Sequence, residues 1–420
     1  MKHTRIKAML AAAMLAFSMT GCSNSYMTAE SGKASELTAG ITAQAVTGTE
    51  PDAEFIAGQN AFALSLLQQT AKKYDGKNVL LSPYSLMQAL AMAANGADGQ
   101  TRSEMEQVLG GLPVDALNSY LYTRREQLPA AQIKTANSVW WRNAGDRLQV
   151  NPAFLQTAAD YYAASAYQAP FDDSTVKAIN DWCSKHTDGM IPELLDQIDP
   201  EVMMYLINAV SFDAKWETVY EEEPWESEFT AADGSTQQME LMWSDEHTYL
   251  EDAHATGFLK PYENGDYAFA AILPEEGMTP EAYLAQLTPE GLRDLFLNAE
   301  TAPVEAGMPK FSYAYEDELS KMLSEMGMPT AFEDAADFKN MAVSGDGNIA
   351  ISRVLHKTFI SVDTEGTKAA AISAVEFDSC APEVSDNLKT VLLDRPFVYM
   401  IVDTNEMLPV FAGILNSIPS

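Results

Sequence analysis

Residues 364–382 read Thr364-Glu-Gly-Thr-Lys-Ala-Ala-Ala-Ile-Ser-Ala-Val-Glu-Phe-Asp-Ser-Cys-Ala-Pro382. By propensity alone, Lys368–Glu376 is an exposed, Ala-rich helix. The same residues carry a second pattern. Thr367, Ala369, Ala371, Ser373 and Val375 alternate, and each is small or β-branched. A strand made from them buries that face without a charge on it, and Lys368 and Glu376 then point the other way. No proline falls between Thr364 and Ala381, so the ladder of such a strand is unbroken. Gly366 supplies a hinge. Both conformations are open to the segment, and whether the rest of the chain builds a sheet able to admit it is the question the fold must answer.

Outward from this stretch, the second half reads mainly as strand. Val202 to Phe212 is nearly all apolar, the mark of a strand buried on both faces. Short strands are expected at 268–273, 358–362, 391–393, 397–402 and 410–415. The first half reads as helix. Residues 54–73 carry Phe55, Phe62, Leu66 and Leu67 at helical spacing. Thr101-Arg-Ser-Glu104 has the form of a capping box before Met105, Val108 and Leu109, and Gly110-Gly111 ends that helix. Asn151-Pro152 opens a helix to about Tyr162. Asp173 or Ser174 caps another, with Val176, Ile179 and Cys183 on one face and an end near Gly189. Helices first and strands later predict a mixed α+β fold. No internal repeat and no second linker interrupts 51–420, which favours one continuous domain.

The N-terminus reads as an address. Lys2, Arg5 and Lys7 precede the apolar run Ala8–Met19, too short to span a bilayer, and small residues lead to Cys22. The expectation is a bacterial lipoprotein signal over 1–21, with Cys22 as the lipid anchor; an ordinary secretory signal is the alternative. Residues 22–50 are rich in Ser, Thr, Ala and Gly and read as a flexible tether with a reach of roughly 30 Å as a coil. The expected location is the extracellular face of a bacterial membrane, or the medium.

Composition removes several classes of function. With 47% hydrophobic residues the 420-residue chain has ample material for a core, and three cysteines cannot staple a disulfide scaffold. A formal charge of −34 repels phosphate backbones, so nucleic acid is not an expected partner. The five histidines show no HExxH spacing, and there is no CxxC, Walker loop or Gly-x-Ser-x-Gly elbow. Ser174-Thr-Val-Lys177 and Ser385-Asp386-Asn387 imitate motifs of penicillin-recognising enzymes, but the Lys-Thr-Gly partner is missing and the two lie too far apart. Glu221-Glu222-Glu223 with Glu226 and Glu228 reads as a solvated face; no calcium-ligand spacing is present. No cofactor, no metal and no enzymatic site are expected.

Several ordered stretches closely resemble the serpin family from about residue 54 to the C-terminus. They are Asn78-Val-Leu-Leu-Ser-Pro-Tyr-Ser85, Ala89–Thr101, Ile179-Asn-Asp-Trp182 with Thr187-Asp-Gly189, and Asn208-Ala-Val-Ser-Phe-Asp-Ala-Lys-Trp-Glu217. Pro309-Lys-Phe311, Leu323–Gly327, Ala336-Asp-Phe338, His356-Lys-Thr-Phe359, Glu365-Gly-Thr367, Arg395-Pro-Phe397 and Phe411-Ala-Gly413 follow in family order. The resemblance implies three sheets with a large central one, eight to nine helices, and an exposed reactive-centre loop. It implies a kinetically trapped native state that inhibits serine proteases: the protease attacks the loop, forms an acyl-enzyme, and is carried away as the loop inserts into the central sheet.

The resemblance also places residues in roles. Glu365, Gly366, Thr367, Lys368, Ala369, Ala370, Ala371, Ile372 and Ser373 form the hinge. Ser82, Ser85, Asn208 and His356 match positions where the family opens its sheet, and Trp216 and Lys310 match the end where the loop enters. Many members carry an acid at the position of Thr364, paired with the Lys matched by Lys310; Thr364 cannot make that pair. The customary count from Glu365 puts the attacked bond at Cys380–Ala381, with Ser379–Cys380 as the next choice. Small uncharged residues there imply an elastase-like or subtilisin-like target and a monomeric inhibitor. Exposed, Cys380 is also a candidate redox-sensitive thiol, whereas Cys183 is expected to be buried and inert. A non-inhibitory serpin acting as carrier or chaperone is the first rival, a solute-binding lipoprotein the second.

Overall fold

The computed structural model describes residues 33–128, 132–143, 148–345, 348–367 and 387–419. In chain order the elements begin with β1 (Ser35–Glu36), α1 (Ala53–Lys73), β2 (Val79–Leu81), α2 (Pro83–Ala94), α3 (Gly99–Val108) and α4 (Val114–Gln127). There follow β3 (Ile133–Arg142), β4 (Leu148–Val150), α5 (Pro152–Tyr162), β5 (Ser165–Ala169), α6 (Asp173–His186), β6 (Met204–Phe212) and β7 (Ala214–Lys215). Then come β8 (Trp225–Thr230), β9 (Thr236–Glu251), β10 (Ala255–Pro261), β11 (Tyr267–Pro274), α7 (Pro280–Gln286), α8 (Pro289–Leu297), β12 (Glu300–Pro309) and β13 (Phe311–Glu318). The last are α9 (Ser320–Met326), β14 (Ala342–Ser344), β15 (Arg353–Val362), β16 (Gly366–Thr367), β17 (Lys389–Leu392), β18 (Phe397–Asp403) and β19 (Pro409–Leu415). A 3₁₀ turn, Pro329–Phe332, follows α9.

The strands form three sheets among the described residues. One runs β1-β5-β3-β6-β15-β16-β7, with β13 on the far edge of β15. A second runs β17-β12-β9-β10-β11-β18-β19-β2, with β8 on β9. The third is the pair β14-β4. The expected α+β class with a large central sheet is what the chain adopts. Helix α2 is buried along its whole length and lies against β3 and β6 on one side and β19 on the other. A helix buried on every side belongs between layers, not on a surface. The opposite face of β3 and β6 is covered by α6, where Trp140, Ile179, Cys183, Tyr205 and Ile207 form a separate core. Strand β6 is therefore covered on both sides, and all nine of its residues are buried, as its continuous apolar run predicts.

Four expectations require correction. The tether expected over 22–50 is not free over its described part. Ser35 and Glu36 pair with Gln168 and Tyr167 on the edge of β5. Thr38 Oγ1 accepts the Ala166 N–H at 3.2 Å, Gln44 N–H reaches Asp160 at 2.7 Å, and Leu37 and Ile41 pack on the core. A scarcity of large apolar groups marks a poor core former, but an edge strand docks through its main chain, which every residue carries.

The capping box at Thr101–Glu104 does not form. Helix α3 starts earlier, at Gly99, and Thr101 Oγ1 instead accepts the Asp337 N–H at 3.0 Å while Glu104 accepts the Thr330 N–H at 2.9 Å. Both side chains are taken up by tertiary partners. The cap of α6 is Asp172, which accepts from Ser174 N at 2.9 Å; Asp173 and Ser174 lie inside the first turn. Finally, helix and strand are interleaved. Strand β3 precedes α5, and α7, α8 and α9 fall among later strands. The 16-residue β9 has no apolar run to announce it, because ten of its residues are polar.

Candidate functional site

The central sheet forks. Strands β6 and β15 are parallel neighbours, and their ladder runs from Arg353↔Tyr205 to Lys357↔Ala209. Among the described residues no ladder pair joins 358–361 to 210–213. At the mouth of this fork sits β16, antiparallel to both flanking strands: Thr367 pairs with Val362 on one side and with Ala214 on the other. The chain reaches it by a turn closed on Asp363, whose Oδ1 accepts the N–H groups of Glu365 (2.9 Å) and Gly366 (3.1 Å). Gly366 is required by close approach. A Cβ at this position would lie 2.2 Å from the Ala214 carbonyl oxygen.

Three aromatic residues grip this base. The Trp216 indole N–H donates to the Asp363 carbonyl at 2.8 Å, its main-chain N–H to Glu365 O at 2.9 Å, and Tyr220 N–H to Thr364 O at 3.1 Å. Tyr262, stacked on Trp216 at 4.5 Å between centroids, shares a 2.6 Å hydrogen bond with the hydroxyl of Thr367. Burial lifts the Tyr262 phenol well above its ordinary value, so it stays a neutral hydrogen-bonding group. Thr367 is 1% exposed.

At the closed end of the fork the structure brings Ser82, Ser85, Asn208 and His356 together. His356 accepts the Ser82 N–H on Nε2 at 3.1 Å, and its Nδ1 lies 3.1 Å from Asn208 Oδ1, which assigns the proton to Nδ1. Asn208 Nδ2 donates to Ser85 Oγ, to Ser85 O at 3.1 Å and to Asn137 Oδ1 at 2.8 Å. Ser82 Oγ donates to Val410 O at 2.9 Å and accepts Ser85 N–H at 3.3 Å. The network therefore ties β6, β15 and the start of α2 to β19. Burial lowers the His356 pKa to about 4, against the opposing pull of the Asp317 carboxylate. Sequence reading missed Asn137, which no motif singles out; its place on β3 directly opposite Asn208 is a matter of register.

Lys310 lies between β12 and β13 and pairs with Glu240 at 3.3 Å on the surface. Glu240 takes up the lysine that Thr364 cannot. Cys22, Lys368, Ala369, Ala370, Ala371, Ile372, Ser373, Ser379, Cys380 and Ala381 lie outside the described residues, as do Ser385 and Asp386 of the imitation motif. Glu221, Glu222, Glu223, Glu226 and Glu228 all lie exposed at the surface. Among the described residues no cluster of His, Cys, Asp or Glu is arranged to hold a metal ion. No helix among them is long and apolar enough to cross a membrane.

Cys183 is buried and free, and desolvation raises its thiol to about 12. It is expected to resist a thiol reagent such as dithionitrobenzoate at pH 8 and to react only once the chain is unfolded. Mass spectrometry of the labelled peptide checks this.

Comparison with known proteins points one way. The family described as Serpin (serine protease inhibitor) matches residues 57–418. A serine protease inhibitor of Rattus norvegicus is 30% identical over 389 residues, covering 88% of this chain and 90% of that protein. An uncharacterized serpin-like protein of Thermococcus kodakarensis is 29% identical, covering 84% and 83%. Among solved structures, the thermophilic serpin tengpin in its native state is 43% identical with a TM-score of 0.87, covering 92% of this chain and 100% of that one. Tengpin in its latent state is 40% identical with a TM-score of 0.77, covering 89% and 100%.

Proposed function

This chain belongs to the serpin family of serine protease inhibitors, not to the enzymes, and we propose that it inhibits as a suicide substrate whose loop completes the forked sheet. One observation carries the reading: β16 already starts a strand that is antiparallel to both arms of the fork and in one register with both.

Extending that register residue by residue gives definite positions. Lys368 falls between Ser361 and Asp213, and Ala371 between Thr358 and Val210. These four residues, 368–371, fit the fork without disturbing a β6–β15 pair. Ile372 then falls between Lys357 and Ala209, which pair with each other. From here insertion must separate β6 from β15. Ser373 falls between His356 and Asn208, so the polar network must open at that step. Thr367 faces inward, so Ala369, Ala371, Ser373 and Val375 share its face. All are small enough to lie over the start of α2. Insertion through Glu376 breaks the five ladder pairs of β6 with β15 and replaces them by two ladders along the new strand. Main-chain hydrogen bonding therefore drives the step. The closer match to the native than to the latent form of tengpin supports assigning the loop-out, spring-loaded state to this conformation.

In the reaction the serine oxygen of the protease attacks the Cys380 carbonyl carbon, forms an ester, and releases the new amino terminus at Ala381. Insertion must outrun hydrolysis of that ester by water. The small residues at the bond favour elastase-like or subtilisin-like proteases. The N-terminal signal and Cys22 favour a lipid-anchored protein on the outer face of a bacterial membrane. Incubation with subtilisin, pancreatic elastase, chymotrypsin and trypsin, followed by denaturing gels and mass mapping, is the test. A covalent complex with subtilisin or elastase, and a released peptide starting at Ala381, is expected. Cleavage of the loop without any complex would contradict inhibition and leave the non-inhibitory rival standing.

A further inference from the structure

A buried ion pair lies directly under the grip on the loop base. Lys260 on β10 is 1% exposed, and its ammonium is 2.6 Å from Glu246 on β9, itself 5% exposed. Ser244 Oγ donates to the same carboxylate at 2.7 Å. The Lys260 nitrogen also lies 4.4 Å from the centroid of the Tyr220 ring and 5.5 Å from that of Trp216. Both distances are within the range over which a cation is attracted to a ring face, and the attraction is strongest when desolvated. A strand-packing role alone would be filled better by an apolar side chain, because a buried pair commonly returns less than its desolvation cost. What a methionine cannot supply is a fixed positive charge shared between two rings.

We propose that Lys260 is a positioning residue: its ammonium, oriented by Glu246 and Ser244, fixes the Tyr220 and Trp216 rings and thereby holds the carbonyls of Asp363, Thr364 and Glu365. The consequence rests on the insertion reading above and deepens it. The base of the loop must stay in register with Val362 and Ala214 while the rest of the loop swings in. A loosened base starts the strand late, and more of the ester is lost to water.

The test exchanges the charges. Lys260→Glu with Glu246→Lys keeps the ion pair but moves the cation away from the rings; Lys260→Arg keeps the cation in place. Hydrogen exchange is followed by mass spectrometry over peptides spanning 213–222, 248–259 and 353–367, which needs no protease target. In the exchanged variant the Trp216 and Tyr220 amides are expected to exchange about tenfold faster, with the β9–β10 ladder unchanged. Lys260→Arg should retain wild-type protection. Wild-type protection in the exchanged variant overturns the proposal. Should that variant fail to fold, Tyr220→Leu removes the ring and leaves the pair intact; faster exchange at the loop base is expected, and unchanged exchange overturns the proposal. The stoichiometry of inhibition of subtilisin should rise about tenfold in the exchanged variant and in Tyr220→Leu, but not in Lys260→Arg, while the initial rate of loop attack stays the same. If the wild-type chain is only cleaved by subtilisin, the insertion reading fails, and the exchange data still decide the role of Lys260.

Discussion

Thr367→Arg is expected to turn the inhibitor into a substrate. Thr367 sits at the mouth of the fork, 1% exposed, between Val362 and Ala214, with its hydroxyl on Tyr262. An arginine here has two choices. It forces a guanidinium into the buried space between Val362, Ala214 and Tyr262, which costs several kcal/mol, or it keeps residue 367 out of the ladder, so that insertion has no starting register. Either choice slows insertion relative to hydrolysis of the ester. A penalty of about 3 kcal/mol changes that partition by roughly a hundredfold. The expected gel shows complete loop cleavage by subtilisin and no complex. The rate of first cleavage should stay near that of the wild type, because the bond cut lies far along the loop from residue 367. Thr367→Ser keeps the hydroxyl and should still form the complex.

Acid is expected to weaken the closed end of the fork through His356. The neutral ring accepts the Ser82 N–H on Nε2, and a second proton there would set one N–H against another. With a folded pKa of about 4 against an ordinary 6.5, the unfolded state takes the proton first as pH falls. The stabilisation is complete above about pH 6.5, falls through the window below it, and is gone by about pH 4. At about 1.4 kcal/mol per pH unit, the step from pH 6.5 to 5 removes about 2 kcal/mol. His356→Gln cannot titrate. Its loss of stability over that step should be smaller than the wild type's by that amount, measured as the shift in urea midpoint. Equal shifts would mean that His356 is already free to protonate in the folded chain.

Much of this site was legible in the sequence, and the reasons are local. The alternation of Thr367, Ala369, Ala371 and Ser373 can be read because a strand has a two-residue period. The continuous apolar run of β6 can be read because a strand covered on both faces admits nothing else. Four members of the buried polar network follow from the family's motifs. What escaped is non-local. Nothing in the residues near Asn137 says that β3 brings it opposite Asn208, and nothing near Lys260 says that Glu246 and two aromatic rings will surround its charge. By itself, a lysine followed by Pro261-Tyr262 reads as a surface residue. The docking of 33–50 escaped for the same reason: its partners, Gln168, Ala166 and Asp160, lie far along the chain, and its own residues look like those of a linker. Glu104 and Thr101 mislead in the opposite direction, since a sound local rule lost to better partners at Thr330 and Asp337.

The central claim is that residues beyond Thr367 become a strand between β6 and β15. The most direct measurement is thermal unfolding of the chain before and after a single cut in the loop by a protease that is not trapped. If the freed segment inserts, two new ladders replace the five pairs of the closed sheet, and the midpoint should rise by more than about 20 °C. A midpoint that stays within a few degrees of the uncut chain, or falls, would show that the fork does not take up the loop.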